Sequence, residues 1–158
     1  MRRRVVLAIA VVLVAIMVFA AWNVIFNQRQ ESSGFGIYLS ANNQLIVSDK
    51  DITSYNVTSH QIRFSTEGVN RFVGMDFHHK SFTAKLDGRV LYNGSFWSDM
   101  DSMSYQGVVI IDIVLIEHNA TDTLSVEPCY PASFCAGADP TVNQALFDYF
   151  ESIGKLVH

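Results

Sequence analysis

Three features of this sequence predict an α+β fold, in which one N-terminal transmembrane helix precedes an antiparallel sheet with helices on one face. The first is an uncharged apolar run over residues 5–26, VVLAIAVVLVAIMVFAAWNVIF. The second is Asp87-Gly88 between two alternating segments, the composition of a two-residue hairpin loop. The third is a C-terminal apolar stripe bounded by helix-start and helix-stop residues.

The apolar run predicts the anchor. A helix of that length rises roughly 33 Å, enough for a hydrocarbon core of about 30 Å. Trp22 suits its outer interface, and Arg2, Arg3 and Arg4 ahead of it keep the N-terminus cytoplasmic. Val18-Phe19-Ala20 is also an acceptable signal-peptide cleavage site, but the apolar run continues beyond it, which favours the anchor. Residues 1–4 are then a cytoplasmic tail, 27–34 a linker reaching at most about 28 Å, and 35–158 one extracytoplasmic domain.

Strands are predicted over 36–39 and 44–47, separated by Ala41-Asn42-Asn43. Ser48 or Asp49 caps a brief helical turn running through Ile52 and Tyr55. A strand over 60–64 leads to a helix over 66–72 that Ser65 or Thr66 caps, with Gly68 as a weakening residue. The hairpin follows: residues 81–86 and 89–92 flank Asp87-Gly88, with Phe82, Ala84 and Leu86 facing the core. Its register is open, because Leu91 falls opposite Ala84 while Arg89 falls opposite Leu86.

The Val/Ile run over 107–116 predicts a central buried strand, paired with another over 123–126. In the last helix Asp139 caps, Pro140 takes the first position and Gly154 ends it. Its stripe of Val142, Ala145, Leu146, Tyr149, Phe150 and Ile153 is expected to cover the sheet.

Charge limits the partners. Residues 31–158 hold seven basic against fifteen acidic residues, a balance of −8, which gives no footprint for nucleic acid. The expected partners are the membrane, through the protein's own helix, and other membrane or secreted proteins.

Candidate chemistry is sparse. Cys129 and Cys135 are the only cysteines, and in an exported domain they are expected to form a disulfide. Asn56, Asn93 and Asn119 begin glycosylation sequons, Asn93 being the least suited because it adjoins a strand. His78-His79 is the one histidine cluster. Neighbours on a strand point to opposite faces, so the pair is expected to be solvated loop rather than metal ligands. Asp99-Met100-Asp101 starts like a calcium loop, but the later positions fail. Asp112 interrupts the Val/Ile run, either as a buried carboxylate of raised pKa or, more simply, on an open face or edge. No nucleophile elbow, zinc-protease, phosphate-loop or dinucleotide motif occurs. No enzyme, metal or cofactor is expected.

Residues 51–111 carry a resemblance. Asp51-Ile52, the segment from Ile62 to Phe72 (IRFSTEGVNRF), Lys85-Leu86-Asp87-Gly88-Arg89-Val90 and Gly107-Val108-Val109-Ile110 follow one another at suitable spacing. Together they resemble the head of the first extracytoplasmic domain of SecD, the accessory membrane subunit of the Sec translocase. The resemblance implies a ferredoxin-like βαββαβ arrangement and a non-catalytic module that assists protein export or envelope protein handling. A structural envelope protein, or an enzyme whose site the sequence hides, are the alternatives.

Overall fold

The computed structural model describes residues 33–137 and 139–158. The transmembrane helix expected over residues 5–26 lies outside them. Among the described residues no helix is long and apolar enough to cross a membrane.

The fold is a nine-stranded curled sheet, not the expected ferredoxin-like sheet with helices on one face. The strands are β1 (Phe35–Leu39), β2 (Leu45–Ser48), β3 (Ile52–Asn56), β4 (Gln61–Phe64), β5 (Ser81–Leu86), β6 (Arg89–Phe96), β7 (Val108–Ile111), β8 (Thr123–Glu127) and β9 (Leu156–Val157). Their spatial order is β2-β1-β5-β6-β7-β8-β4-β3-β9. The pairings are antiparallel except β6–β7 and β3–β9, which are parallel.

Topology forces the curl. β2 is at one edge and β3 is next to the other, yet only the 3-10 turn Asp49–Asp51 joins them. The four Cα steps from Ser48 to Ile52 span at most about 15 Å. A flat sheet would hold β2 and β3 roughly 34 Å apart at about 4.8 Å per strand. The closure is tied by side chains. Lys155 Nζ donates to the carbonyls of Asp49 and Ile52, both at 2.6 Å, and the Tyr149 hydroxyl donates to Asp49 Oδ2 at 2.5 Å.

The concave face is the core. Phe35 and Ile37, Phe82 and Ala84, Val108 and Ile110, Leu124 and Val126, and Ile62 and Phe64 alternate along their strands and are buried in one cluster. The helices are short: α1 (Thr66–Asn70), α2 (Ile113–Glu117) and α3 (Gln144–Ser152). α3 sends Phe150 between Phe35 and Tyr55, stacking on Tyr55 with ring centroids 5.2 Å apart.

Most expected strands form, and the hairpin register is resolved by a bulge. Leu86 pairs with Arg89, Lys85 with Val90 and Ala84 with Tyr92, which leaves Leu91 as the extra residue. Asp87 and Gly88 both have positive φ, as a two-residue loop requires. Gly68, which weakened the α1 prediction, has a packing role. A Cβ there would lie 2.5 Å from the Asp51 carbonyl oxygen, so glycine lets α1 sit against the Asp49–Asp51 turn.

Three expectations are corrected. The helical turn after Ser48 stops at Asp51, and Ile52 and Tyr55 belong to β3. The Val/Ile run is not one strand: Asp112 adopts φ +71°, the chain leaves the sheet, and Ile113 and Ile116 are buried from helix α2. A run of β-branched residues fits either element, and periodicity cannot separate them. Finally, Asp139 accepts hydrogen bonds from the Thr141 N–H and hydroxyl instead of capping a helix. Asn143 caps α3, Leu146, Phe147 and Phe150 form its buried face, and Val142 is left exposed.

Candidate metal centre

Two loops meet where the start of β5 pairs with the end of β6, one leading into β5 and the other leaving β6. The first is the tight turn Phe77–Lys80, closed by Lys80 N–H donating to Phe77 O at 2.8 Å. It is sewn to β6 by His79 N–H to Phe96 O and Phe96 N–H to Lys80 O, both 2.9 Å. Its base is fixed by the buried Glu117, whose Oε1 accepts the Phe77 N–H at 2.5 Å.

The second loop starts at Trp97, directly after β6, and turns at Ser98–Asp101. Asp101 N–H donates to Ser98 O, Ser98 N–H donates back to Asp101 Oδ2, and both distances are 3.1 Å. The Tyr130 hydroxyl holds the turn from outside, donating to the Asp99 carbonyl at 2.7 Å and the Asp101 carbonyl at 3.3 Å.

These turns bring three ligand-type side chains together. His78 Nε2 and His79 Nε2 approach the same oxygen, Asp101 Oδ2, at 2.9 and 3.2 Å. The donor atoms all lie within 4.8 Å of one another. The argument from strand alternation fails here because the pair is in a turn. His79 has φ +61°, and the two rings lie against each other with centroids 3.9 Å apart and planes tilted by 30°. His79 also packs on Trp97 at 4.4 Å.

The three donor atoms are close enough together to meet on one small cation. Donors about 2.05 Å from one ion sit about 2.9 Å apart at right angles and about 3.4 Å apart at the tetrahedral angle. The two His–Asp separations, 2.9 and 3.2 Å, are hydrogen-bond distances that also fall within this range. With no ion the imidazole N–H groups donate to the carboxylate. Burial pushes the Asp101 carboxyl up, but hydrogen bonds from His78, the Ser98 N–H and His79, with the charge of His78, outweigh it and hold it below the usual range.

An aromatic wall backs the site. Trp97, Val109 and Ile111 form a second buried cluster on the face of β7 opposite the core, with Tyr105 and Tyr130 packed on it. The Trp97 indole N–H is buried without an acceptor among the described residues. Two acids belong to the same outer region. Asp112 is raised by burial and by Asp99, and Glu127 is raised by burial and by Asp112.

The other residues singled out in the sequence lie elsewhere. Cys129 and Cys135 are joined in a disulfide with sulfurs 2.06 Å apart. Closing that short loop stabilises by about 2 kcal/mol in the chain-entropy model. Asn56 is half-buried and accepts the Thr58 and Ser59 N–H groups. Asn93 is exposed on β6 and accepts from the Thr83 hydroxyl, and Asn119 is exposed after α2. A cleft of about 330 Å³ lies between Phe64, Val69 and Asn119–Asp122, and one of about 240 Å³ lies beside the disulfide. Neither is lined by His78, His79 or Asp101.

Comparison of the chain with protein-family models, with curated proteins and with solved structures finds no match.

Proposed function

We propose that this protein is a non-catalytic metal-binding module outside the cytoplasm, held at the membrane by its apolar N-terminal segment. The convergence of His78 and His79 on Asp101 Oδ2 carries the metal reading. Two imidazoles and a carboxylate suit zinc or copper and leave further coordination positions for a partner's group. The arginine triplet ahead of the apolar run supports the orientation. The disulfide supports an oxidising compartment.

Titration of the full-length protein in detergent with Zn²⁺ tests the reading. One equivalent is expected to bind, and His78→Ala, His79→Ala and Asp101→Asn are each expected to weaken it tenfold or more. Binding that survives all three substitutions removes this site from consideration.

The ferredoxin-like arrangement that the SecD resemblance implies is not the one found, so only the order of its motifs over residues 51–111 supports a second element of the reading, contact with membrane or secreted proteins. In-cell crosslinking that recovers translocon subunits or nascent secretory chains would support it. Recovery of neither would leave the module without a role in export.

A further inference from the structure

The domain has three methionines, Met75, Met100 and Met103, and all are exposed, at 47, 73 and 54%. Methionine is ordinarily among the more buried side chains, so exposure of all three calls for a reason. Their positions supply one. Met75 precedes His78 by three residues, Met100 adjoins Asp101, and Met103 follows it by two. Each thus lies within three residues of a candidate ligand, on the segment that leads into β5 or the loop that leaves β6.

Reach is sufficient. Consecutive Cα atoms are about 3.8 Å apart, which places Met100 and Met103 within about 8 Å of Asp101 along the chain. A methionine sulfur extends about 4 Å from its own Cα and a metal–sulfur bond adds about 2.3 Å, so each unbranched, freely rotating thioether can serve an ion up to about 6 Å from that Cα. The Met100 backbone is fixed while this happens, because its N–H donates to Ser98 Oγ at 3.2 Å. Thioether sulfur is a poor ligand for zinc, magnesium or calcium and a good one for cuprous copper, which also accepts imidazole.

We infer that the site binds copper(I), held by histidine imidazole together with the thioethers of Met100 and Met103. The inference rests on the metal-binding reading and sharpens it to one ion. The His78–His79–Asp101 set serves harder ions at the same place. The cuprous ion sits further out, where the two exposed sulfurs can reach it.

The test compares two ions on the full-length protein in detergent. Cu⁺ is titrated anaerobically against a colorimetric cuprous chelator, and Zn²⁺ is titrated separately. The double substitution Met100→Leu/Met103→Leu is expected to weaken Cu⁺ binding tenfold or more and to leave Zn²⁺ binding within twofold. Both side chains are exposed and leucine keeps their bulk, so the fold is not at risk. His79→Ala is expected to weaken both ions. Cu⁺ affinity within twofold of the parent in the double variant overturns the inference. So does an equal loss of Zn²⁺ binding, since the methionines would then act through the fold. If the parent binds Zn²⁺ but not Cu⁺, only this inference fails. If it binds neither, the metal-binding reading fails with it.

Discussion

Two turns in this domain share the pattern Ser-Asp-x-Asp and end in different chemistry. In Ser48-Asp49-Lys50-Asp51, the last carboxylate reaches back to the Ser48 N–H and hydroxyl, both at 2.9 Å. In Ser98-Asp99-Met100-Asp101, it reaches back to the Ser98 N–H at 3.1 Å. A tyrosine hydroxyl braces each: Tyr149 donates to the Asp49 side chain and Tyr130 to the Asp99 carbonyl. The partner opposite the carboxylate differs. Asp51 meets Arg71 Nε at 2.8 Å, whereas Asp101 meets two histidines. Arginine cannot give up its proton to make room for an ion, and imidazole can. One local design thus closes the sheet in the first turn and sets two imidazoles on a carboxylate in the second.

The largest expected effect lies at the closing turn. The Asp51 side chain is only 6% exposed and receives hydrogen bonds from Ser48 and Arg71. Asp51→Ala is expected to cost about 2 kcal/mol by urea unfolding, since it removes the acceptor of two part-buried Ser48 donors and of the half-exposed Arg71. Asp101→Asn is expected to cost less than about 1 kcal/mol and to abolish metal binding. If the two stability losses prove equal, the contrast between the turns is gone.

The same carboxylate gives a pH signature. Burial raises the Asp51 pKa, but the Ser48 N–H, the Ser48 hydroxyl and Arg71 outweigh it, and the net shift is downward from 3.8. A lowered pKa in the folded state contributes stability above the unfolded value. That contribution is lost as pH falls below about 5 and through the folded value. The parent is therefore expected to lose stability on acidification more steeply than Asp51→Asn in the same series of melts.

Metal should separate the turns next. A ligand at about 100 times its Kd stabilises by about 2.7 kcal/mol. Saturating Zn²⁺ is expected to raise the Tm of the parent and of Arg71→Gln, and to leave Asp101→Asn unmoved. A Zn²⁺ shift in Asp101→Asn would place the ion elsewhere. Arg71→Gln should itself cost about 1–2 kcal/mol, discounted because the Arg71 side chain is half-exposed.

Much of the core was legible in the sequence, and the site was not. Alternation exposed Phe82 and Ala84, and Asp87-Gly88 placed the hairpin, because strand period and turn chemistry are local. The curl was not local: it follows from β2 and β3 occupying opposite ends of the sheet order. The break at Asp112 depends on one residue adopting φ +71°, which a Val/Ile run does not announce. The loop position of His78 and His79 ahead of Ser81 is legible, but which distant carboxylate they meet is not, because Asp101 lies more than twenty residues away. Asp101 stands out in the sequence only as part of an incomplete calcium loop. The signal that could have found it is the repeated Ser-x-x-Asp spacing, a capping-box pattern that marks a carboxylate held in place by its own turn.

The smallest expected effects compare the two serines. The Ser48 hydroxyl donates to Asp51, so Ser48→Ala removes a bond to a charged group and should cost about 1 kcal/mol with Zn²⁺ affinity unchanged. The Ser98 hydroxyl instead accepts the Met100 N–H and leaves the Asp101 bond to the backbone. Ser98→Ala should therefore cost about 0.5 kcal/mol and loosen the loop that presents Met100, lowering Cu⁺ affinity more than Zn²⁺ affinity. The reverse order, with Zn²⁺ the more affected, would mean that the hydroxyl positions Asp101 rather than the methionine beside it.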